Sequence, residues 1–426
     1  MIRILKCGEV SPEEIFARQE QTVDIGGAVT DIITAVRRGG DKAVLAFTER
    51  YDTVALTAME VTESEMAEAL TSVTPQLLQI MEQAAANIRA FHRAQARTGF
   101  VLDEQDGIII GQKVTPIEKV GIYVPGGRAA YPSTVLMDTI PAKIAGCGQI
   151  VMVTPPGTDG KVDPVILAAA KIAGVDRIFK VGGAQAVAAL AYGTESVPRV
   201  DKIVGPGNAY VAEAKRQVFG QVAIDMIAGP SEILIIADSR SNPVHAAADL
   251  LSQAEHDPMA SAVLVTDDSS FAEAVSQELE RQLPLLPRSQ IARASIDTNG
   301  KIIVAESLDA VIAIANEIAP EHLELMVDDP FTYLDAIRNA GSIFLGRNCP
   351  EALGDYFAGP NHTLPTSGTA RFSSPLGVDD FVKKSQFTYY TRDALAKVGQ
   401  KVAAFARQEG LEAHARSVTV RIEETK

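Results

Sequence analysis

Of the six histidines in this 426-residue chain, four stand beside acids or amides in patterns that could do chemistry. In LLSQAEHDP (250–258), Gln253 and His256 are three residues apart, so on a helix they share a face and both could reach one metal ion. The ordinary alternative is a helix end, where histidine is at home and glutamine, an unusual zinc ligand, is simply polar. In EIAPEHLELMV, Glu321 and His322 directly follow Pro320, at the start of a strand or short helix. An acid beside an imidazole offers two proton-transfer groups to neighbouring atoms, and imidazole titrates near neutrality, as suits an alcohol-deprotonating base. The competing reading is a first helical turn, Pro-Glu-His. GDYFAGPNHTLPTSGTARFSS (354–374) carries Asp355 and His362 in a long, irregular polar loop, and such loops inside compact domains are often functional. In RQEGLEAHARSV, Glu409 and His414 lie five apart, about 140° around a helix, so they could flank a ligand in a pocket or belong to a solvated face. His92 and His245 fall in alanine-rich helical stretches and read as surface or structural.

Glycine-rich turns form a second set. VGIYVPGGRAAYPST, VGGAQAVAAL, VGPGNAYVAEA and AGPSEILI interrupt the apolar runs, most of them between a strand and a helix. Such junctions expose backbone N–H groups suited to phosphate. None matches GxGxxG, so the common dinucleotide fingerprint is absent.

Elements that must position these residues follow from periodicity. Residues 11–98 read as helical, opening on Ser11 and Pro12 and broken at Pro75. Residues 101–118 switch to strands. From 119, short apolar strands (GIYV, QIVMVTP, RIFKVGG, KIVGPG) alternate with helical segments, which predicts a mostly parallel sheet with ligands at the carboxyl ends of its strands. A second run follows: EILIIAD, SAVLVTD, KIIVAES, LELMV and SIFLG. The fold class is α/β, with two similar doubly wound, incomplete Rossmann-like domains, a helical N-terminal region and a helical C-terminal tail. The expected division is 1–118 with 226–375, then 119–225, then a polar, mostly helical tail over 376–426 that lacks a core of its own.

A formal net charge of −15 disfavours nucleic acid or an anionic membrane as the main partner. No apolar run reaches membrane-spanning length, Asp138 and Lys143 breaking the longest, and MIRILKCGEV is not followed by an apolar core of signal-peptide length, so a cytoplasmic location is expected. Cys7, Cys147 and Cys349 are widely spaced, without CxxC, and read as structural.

Taken in order, IYVPGG, VGGAQAVAALAYGTESVP, VDKIVGPGNAYVAEAKRQV, IDMIAGPSEILIIAD, LLSQAEH, APEHLEL, GDYFAGPNHTLPTSGTARFSSPLGVDDF and EAHARSVTVR closely resemble the histidinol dehydrogenase family, over most of residues 119–420. That resemblance implies oxidation of L-histidinol to L-histidine through the aldehyde with two NAD, the last step of histidine biosynthesis. It assigns Gln253, His256, Asp355 and His414 to a zinc ion whose shell the substrate's imidazole and amino nitrogens complete. It assigns Ser231, His362 and Glu409 to the substrate alongside those ligands and His322, and Tyr123, Gln185 and Asn208 to NAD. His322 matches the base that takes the alcohol proton, and Glu321 the residue that activates water. The family's homodimer, in which the C-terminal segment crosses to the partner, would bring Glu409 and His414 into the other subunit's site. A dehydrogenase of another small hydroxylated compound, such as a sulfonated polyol, a zinc hydrolase using Glu321, and a non-catalytic binding or scaffold protein are the competing functions. A cysteine thiohemiacetal route lacks a cysteine in a suggestive context.

Overall fold

The computed structural model describes residues 1–18, 24–126 and 130–423; Gly127 of the first glycine-rich turn lies outside them. The chain divides into two compact units, Met1–Gln95 with Ile117–Phe381, and Ala96–Pro116 with Val382–Lys426.

The first unit holds two fully parallel sheets. In one, the strands run Arg177–Lys180, Gln149–Thr154, Lys119–Tyr123, Lys202–Val204 and Ala223–Ile224 from edge to edge. Numbered by chain order this is 3-2-1-4-5, the doubly wound order with its sixth strand missing. The other runs Arg3–Lys6, Lys301–Val304, Ser261–Thr266, Glu232–Ala237, His322–Met326 and Ser342–Leu345. Without its first, N-terminal strand, the order is again 3-2-1-4-5. The expected similarity of the two halves is therefore one of topology.

Burial on both faces explains the near-continuous apolar strands, since helices cover each side. On one face of the first sheet lie the helices Glu63–Ser72, Pro75–Arg93, Pro132–Ala145 and Pro164–Ala173; on the other lie Gly26–Asp52, Gly183–Tyr192 and Ala209–Val218. The break at Pro75 is real: Thr74 caps the following helix, whose first position is that proline. Ile15 of the helix Pro12–Phe16 packs on the other sheet, but the helices within 26–93 bury their apolar residues against strands 119–204. The expected division had joined them to 226–375, because chain order alone does not reveal which sheet an apolar helix face meets.

The second unit also departs from expectation. Val382–Tyr390, placed within a mostly helical tail, is a strand paired antiparallel to Ile108–Pro116, which pairs in turn with Phe100–Gln105. Its side chains are almost all exposed, so no buried face marks it in the sequence. The helices Arg392–Gln408 and Glu412–Glu423 pack on each other, where a Cβ on Gly399 would sit 2.1 Å from Ile422 Cδ1. Phe100, Val101, Leu102, Phe387, Tyr389 and Phe405 are exposed in this unit.

Among the described residues no helix is long and apolar enough to cross a membrane.

A buried ion pair fixes one turn that faces the cleft. The side chains of Lys215 and Asp225 are 2% and 1% exposed and in direct contact. Lys215 Nζ donates to Gly205 O at 3.0 Å, and Gly205 N donates to Asp225 Oδ2 at 2.8 Å. Gly205 has φ +113°, and a Cβ there would meet Tyr123 O at 2.1 Å, so only glycine fits. Lys215→Met leaves Asp225 buried without its cation and should lower stability by about 3 kcal/mol in urea unfolding. A loss below about 1 kcal/mol would show that the pair does not hold this turn.

Candidate active site

A cleft of about 1400 Å³ lies in the first unit. One wall is the carboxyl side of the 3-2-1-4-5 sheet built from residues 119–224, contributing Gly205, Gly207 and Asn208 just after Lys202–Val204. The facing wall is the amino edge of the other sheet: Arg3, Glu232, Lys301 and His322 each open, or are next to the opening of, their strands. The cleft thus meets the carboxyl ends of one sheet and the amino ends of the other.

At that amino edge the backbone N–H and C=O of Glu232 hold one side chain each. Its N–H donates to Glu321 Oε2 at 2.8 Å, and its carbonyl lies 3.0 Å from His322 Nδ1. A carbonyl accepts only, so Nδ1 carries a proton and a neutral His322 is left with Nε2 as its basic nitrogen. Nε2 is 3.5 Å from Asp355 Oδ1 and 3.9 Å from Glu351 Oε1, has no hydrogen-bond partner, and belongs to a ring that is 4% exposed. The Glu232 carboxylate is braced by Arg18 at 3.3 Å, whose guanidinium also donates to Ile318 O at 2.5 Å.

Asp355 lies on a π-helical turn, Gly354–Ala358, that continues the short helix Glu351–Leu353. The stretch expected to be an irregular loop therefore begins as a wide helical turn, a form common at functional sites. Four residues apart, Glu351 and Asp355 both approach His322. His322, Glu351 and Asp355 offer ligand atoms within 4.8 Å of one another.

These groups shift each other's protonation. Burial opposes a charged imidazole at His322, but Glu351, Glu321 and Asp355 outweigh it and raise the ring well above its ordinary value. Burial pushes Glu321 up to about 8 and Glu351 up to about 7. Burial also opposes ionisation of Asp355, yet the nearby His322 holds it below the usual carboxylate range. His256 and His362 are lowered, mainly by burial, which keeps both rings neutral and able to donate an electron pair.

Ser231, Gln253, His256, Glu321, His322, Asp355 and His362 line one cleft, as does Asn208, which also caps the helix Ala209–Val218. Gln253 is 1% exposed and its Oε1 has no partner. An orphaned amide oxygen, a neutral imidazole and an ionised carboxylate on one wall fit a divalent cation. Tyr123 and Gln185 are not among the described cleft-lining residues: both are buried beneath the glycine turn, with Tyr123 Oη accepting from Gly183 N at 3.0 Å. Glu409 and His414 are exposed in the second unit. His92 is fully buried, with Nδ1 2.9 Å from Ile88 O, and His245 is exposed, as a structural and a surface histidine should be. Burial raises all three cysteine thiols, so none is an activated nucleophile.

Sequence reasoning missed Glu351 and Glu232. The spacing of Glu351 and Asp355 was a usable signal, since residues four apart on a helical turn share a face. Glu232 carried none, because its part is played by main-chain atoms.

The family model described as histidinol dehydrogenase matches residues 16–422. This chain belongs to that family. It is 57% identical over 425 residues to a histidinol dehydrogenase of Syntrophotalea carbinolica, covering 99% of this chain and 96% of the relative. To one from Listeria monocytogenes it is 54% identical over 403 residues, covering 95% and 94%. The crystal structure of histidinol dehydrogenase from Elizabethkingia anophelis superimposes with a TM-score of 0.95 at 39% identity, covering 100% of this chain and 98% of that one. Histidinol dehydrogenases are oxidoreductases that use NAD and a metal, which agrees with a cleft combining a glycine-rich turn and a cation-fitting wall.

In metal-free protein a raised His322 contributes stability that is complete below the ordinary imidazole value of 6.5 and fades as pH rises through its higher folded value. His322→Gln should therefore cost more stability at about pH 6 than at about pH 9, read by urea unfolding at each pH. Equal losses would mean that the ring is neutral throughout.

Proposed function

We propose that this protein is an L-histidinol dehydrogenase, catalysing the final step of histidine biosynthesis. The observation that carries this reading is the unpartnered His322 Nε2 in the cleft wall, with Glu321 beside it and both held by the backbone of one residue, Glu232. The reaction balances as amino alcohol, water and two NAD going to amino acid carboxylate, two NADH and protons. His322 Nε2 takes the hydroxyl proton of the alcohol. Glu321 takes a proton from the water that adds to the aldehyde, and His322 then takes a hydroxyl proton from the resulting diol. NAD, when bound, accepts the hydride from the carbinol carbon in each oxidation. Removing a well-placed acid or base costs about 10²–10⁴-fold in rate, so Glu321→Gln should fall in that range for aldehyde oxidation. Glu321 acts as a base whose carboxyl burial raises, so activity should climb with pH along an acidic limb that Glu321→Gln alters.

Zinc is our reading of the metal, held by Gln253, His256, Asp355 and His414, where its charge would orient the substrate's nitrogens. Ser231, His362 and Glu409 would contact substrate. Asn208 lies on the cleft wall where NAD would approach, and Tyr123 and Gln185 support the adjacent glycine turn. Because His414 and Glu409 belong to the second unit, we assign them to a partner copy's site in a homodimer. The exposed Phe100, Phe387, Tyr389 and Phe405 of that unit support the assignment, as apolar surface a second copy would cover.

Purified protein should form two NADH per L-histidinol, lose this on chelation and regain it with zinc. No NADH from histidinol in metal-loaded protein would favour another small hydroxylated substrate. Mixing inactive His322→Asn and His414→Asn variants should restore partial activity through hybrid dimers. No recovery would remove the exchanged tail.

A further inference from the structure

Pro141 lies inside the helix Pro132–Ala145. It has no N–H, so the carbonyl of Met137, one turn earlier, lacks its helical donor. Asn361 supplies one: its Nδ2 donates to Met137 O at 2.7 Å. On the same turn Asp138 Oδ1 accepts from Thr363 Oγ1 at 2.7 Å. Thr363 N in turn donates to Asn361 Oδ1 at 2.8 Å, closing a tight turn whose middle residue is His362. One helical turn back, Thr134 Oγ1 lies 3.4 Å from His362 Nε2. Asn361, Thr363, Asp138 and Thr134 are all buried, while His362 faces the cleft.

Each flank of His362 is thus tied to one helix by a buried bond, and the helix is open to one of them only because of a proline. The other end of the device touches the glycine turn: a Cβ on Gly205 would come within 3.1 Å of Asp138 Oδ2.

We propose that Asn361, Thr363 and Asp138 are positioning residues that clamp His362 against the Pro132–Ala145 helix and so set how tightly the cleft holds the amino alcohol. This rests on the reading of His362 as a substrate contact. The clamp acts on binding, not on the proton transfers at Glu321 and His322, so it moves KM and leaves kcat nearly alone.

The test uses metal-loaded, full-length protein and L-histidinol. Replacing both partners of a buried hydrogen bond with apolar groups of similar shape is close to neutral for folding, so Asp138→Leu with Thr363→Val should keep its thermal midpoint. Its KM for L-histidinol should rise about tenfold, with kcat within about twofold, because a small misplacement of a contact group is costly. Thr363→Ser keeps the hydroxyl and should restore the parent KM. Adding the double change to His362→Ala should raise KM no further, as expected of residues acting through one side chain. Should the double variant fail to fold, the isosteric Thr363→Val tests the same bond, with a smaller rise in KM. A rise in KM for His362→Ala, with none for the double variant or Thr363→Val, would overturn the clamp. An unchanged KM in His362→Ala itself would instead sink the substrate-contact reading.

Discussion

Glu232 begins its strand at the centre of a parallel sheet, and its backbone N–H and C=O have spare hydrogen-bonding capacity. That capacity is spent on Glu321 and His322: the N–H holds the carboxylate and the C=O holds the ring through Nδ1. Because His322 itself opens the neighbouring strand, register places the imidazole opposite Ile233 and beside the Glu232 carbonyl. A single ladder alignment therefore settles the tautomer of the ring, its aim and its distance from the adjacent acid. Side-chain bonds alone would need several residues to do this, each with rotamers to lose.

The rest of the wall gathers around that alignment. Glu351 and Asp355 arrive from a helical turn widened at Gly354, where a Cβ would come within 2.4 Å of the Phe344 ring. Behind them Glu324 is buried and Asp249 half-buried, and desolvation raises both, Glu324 to about 9 and Asp249 to about 6. Four acids packed this closely cannot all ionise together, so protons or a cation must be shared among them.

How much of this the sequence disclosed depends on whether the relevant force is local. Strands of Ile, Val and Leu closed by Gly or Pro announced two parallel sheets, because two-sided burial leaves a continuous apolar run. Gln253, His256, Glu321, His322, Asp355 and His362 stood out through their own chemistry and their neighbours. Glu232 did not, since a peptide group is the same in every residue. The strand Val382–Tyr390 was hidden by its exposure, having no apolar alternation against a core. Which sheet the helices 26–93 cover, and which edge of the second sheet meets the cleft, are outcomes of long-range packing. Motif and spacing carry no trace of either.

The opposed orientation of the two sheets has an electrical consequence. Helices that follow strands present their amino termini, each worth about half a positive charge, at carboxyl edges, and their carboxyl termini, about half a negative charge, at amino edges. Asn208 opens the helix Ala209–Val218 on one wall, while Pro243–Ala254 ends beside Gln253 and His256 on the other. The cleft is thus polarised by main chain alone, one wall welcoming anions and the other cations. A fold that met its ligands at carboxyl edges on both sides would favour phosphate twice and leave a metal ion or an imidazolium to side chains only.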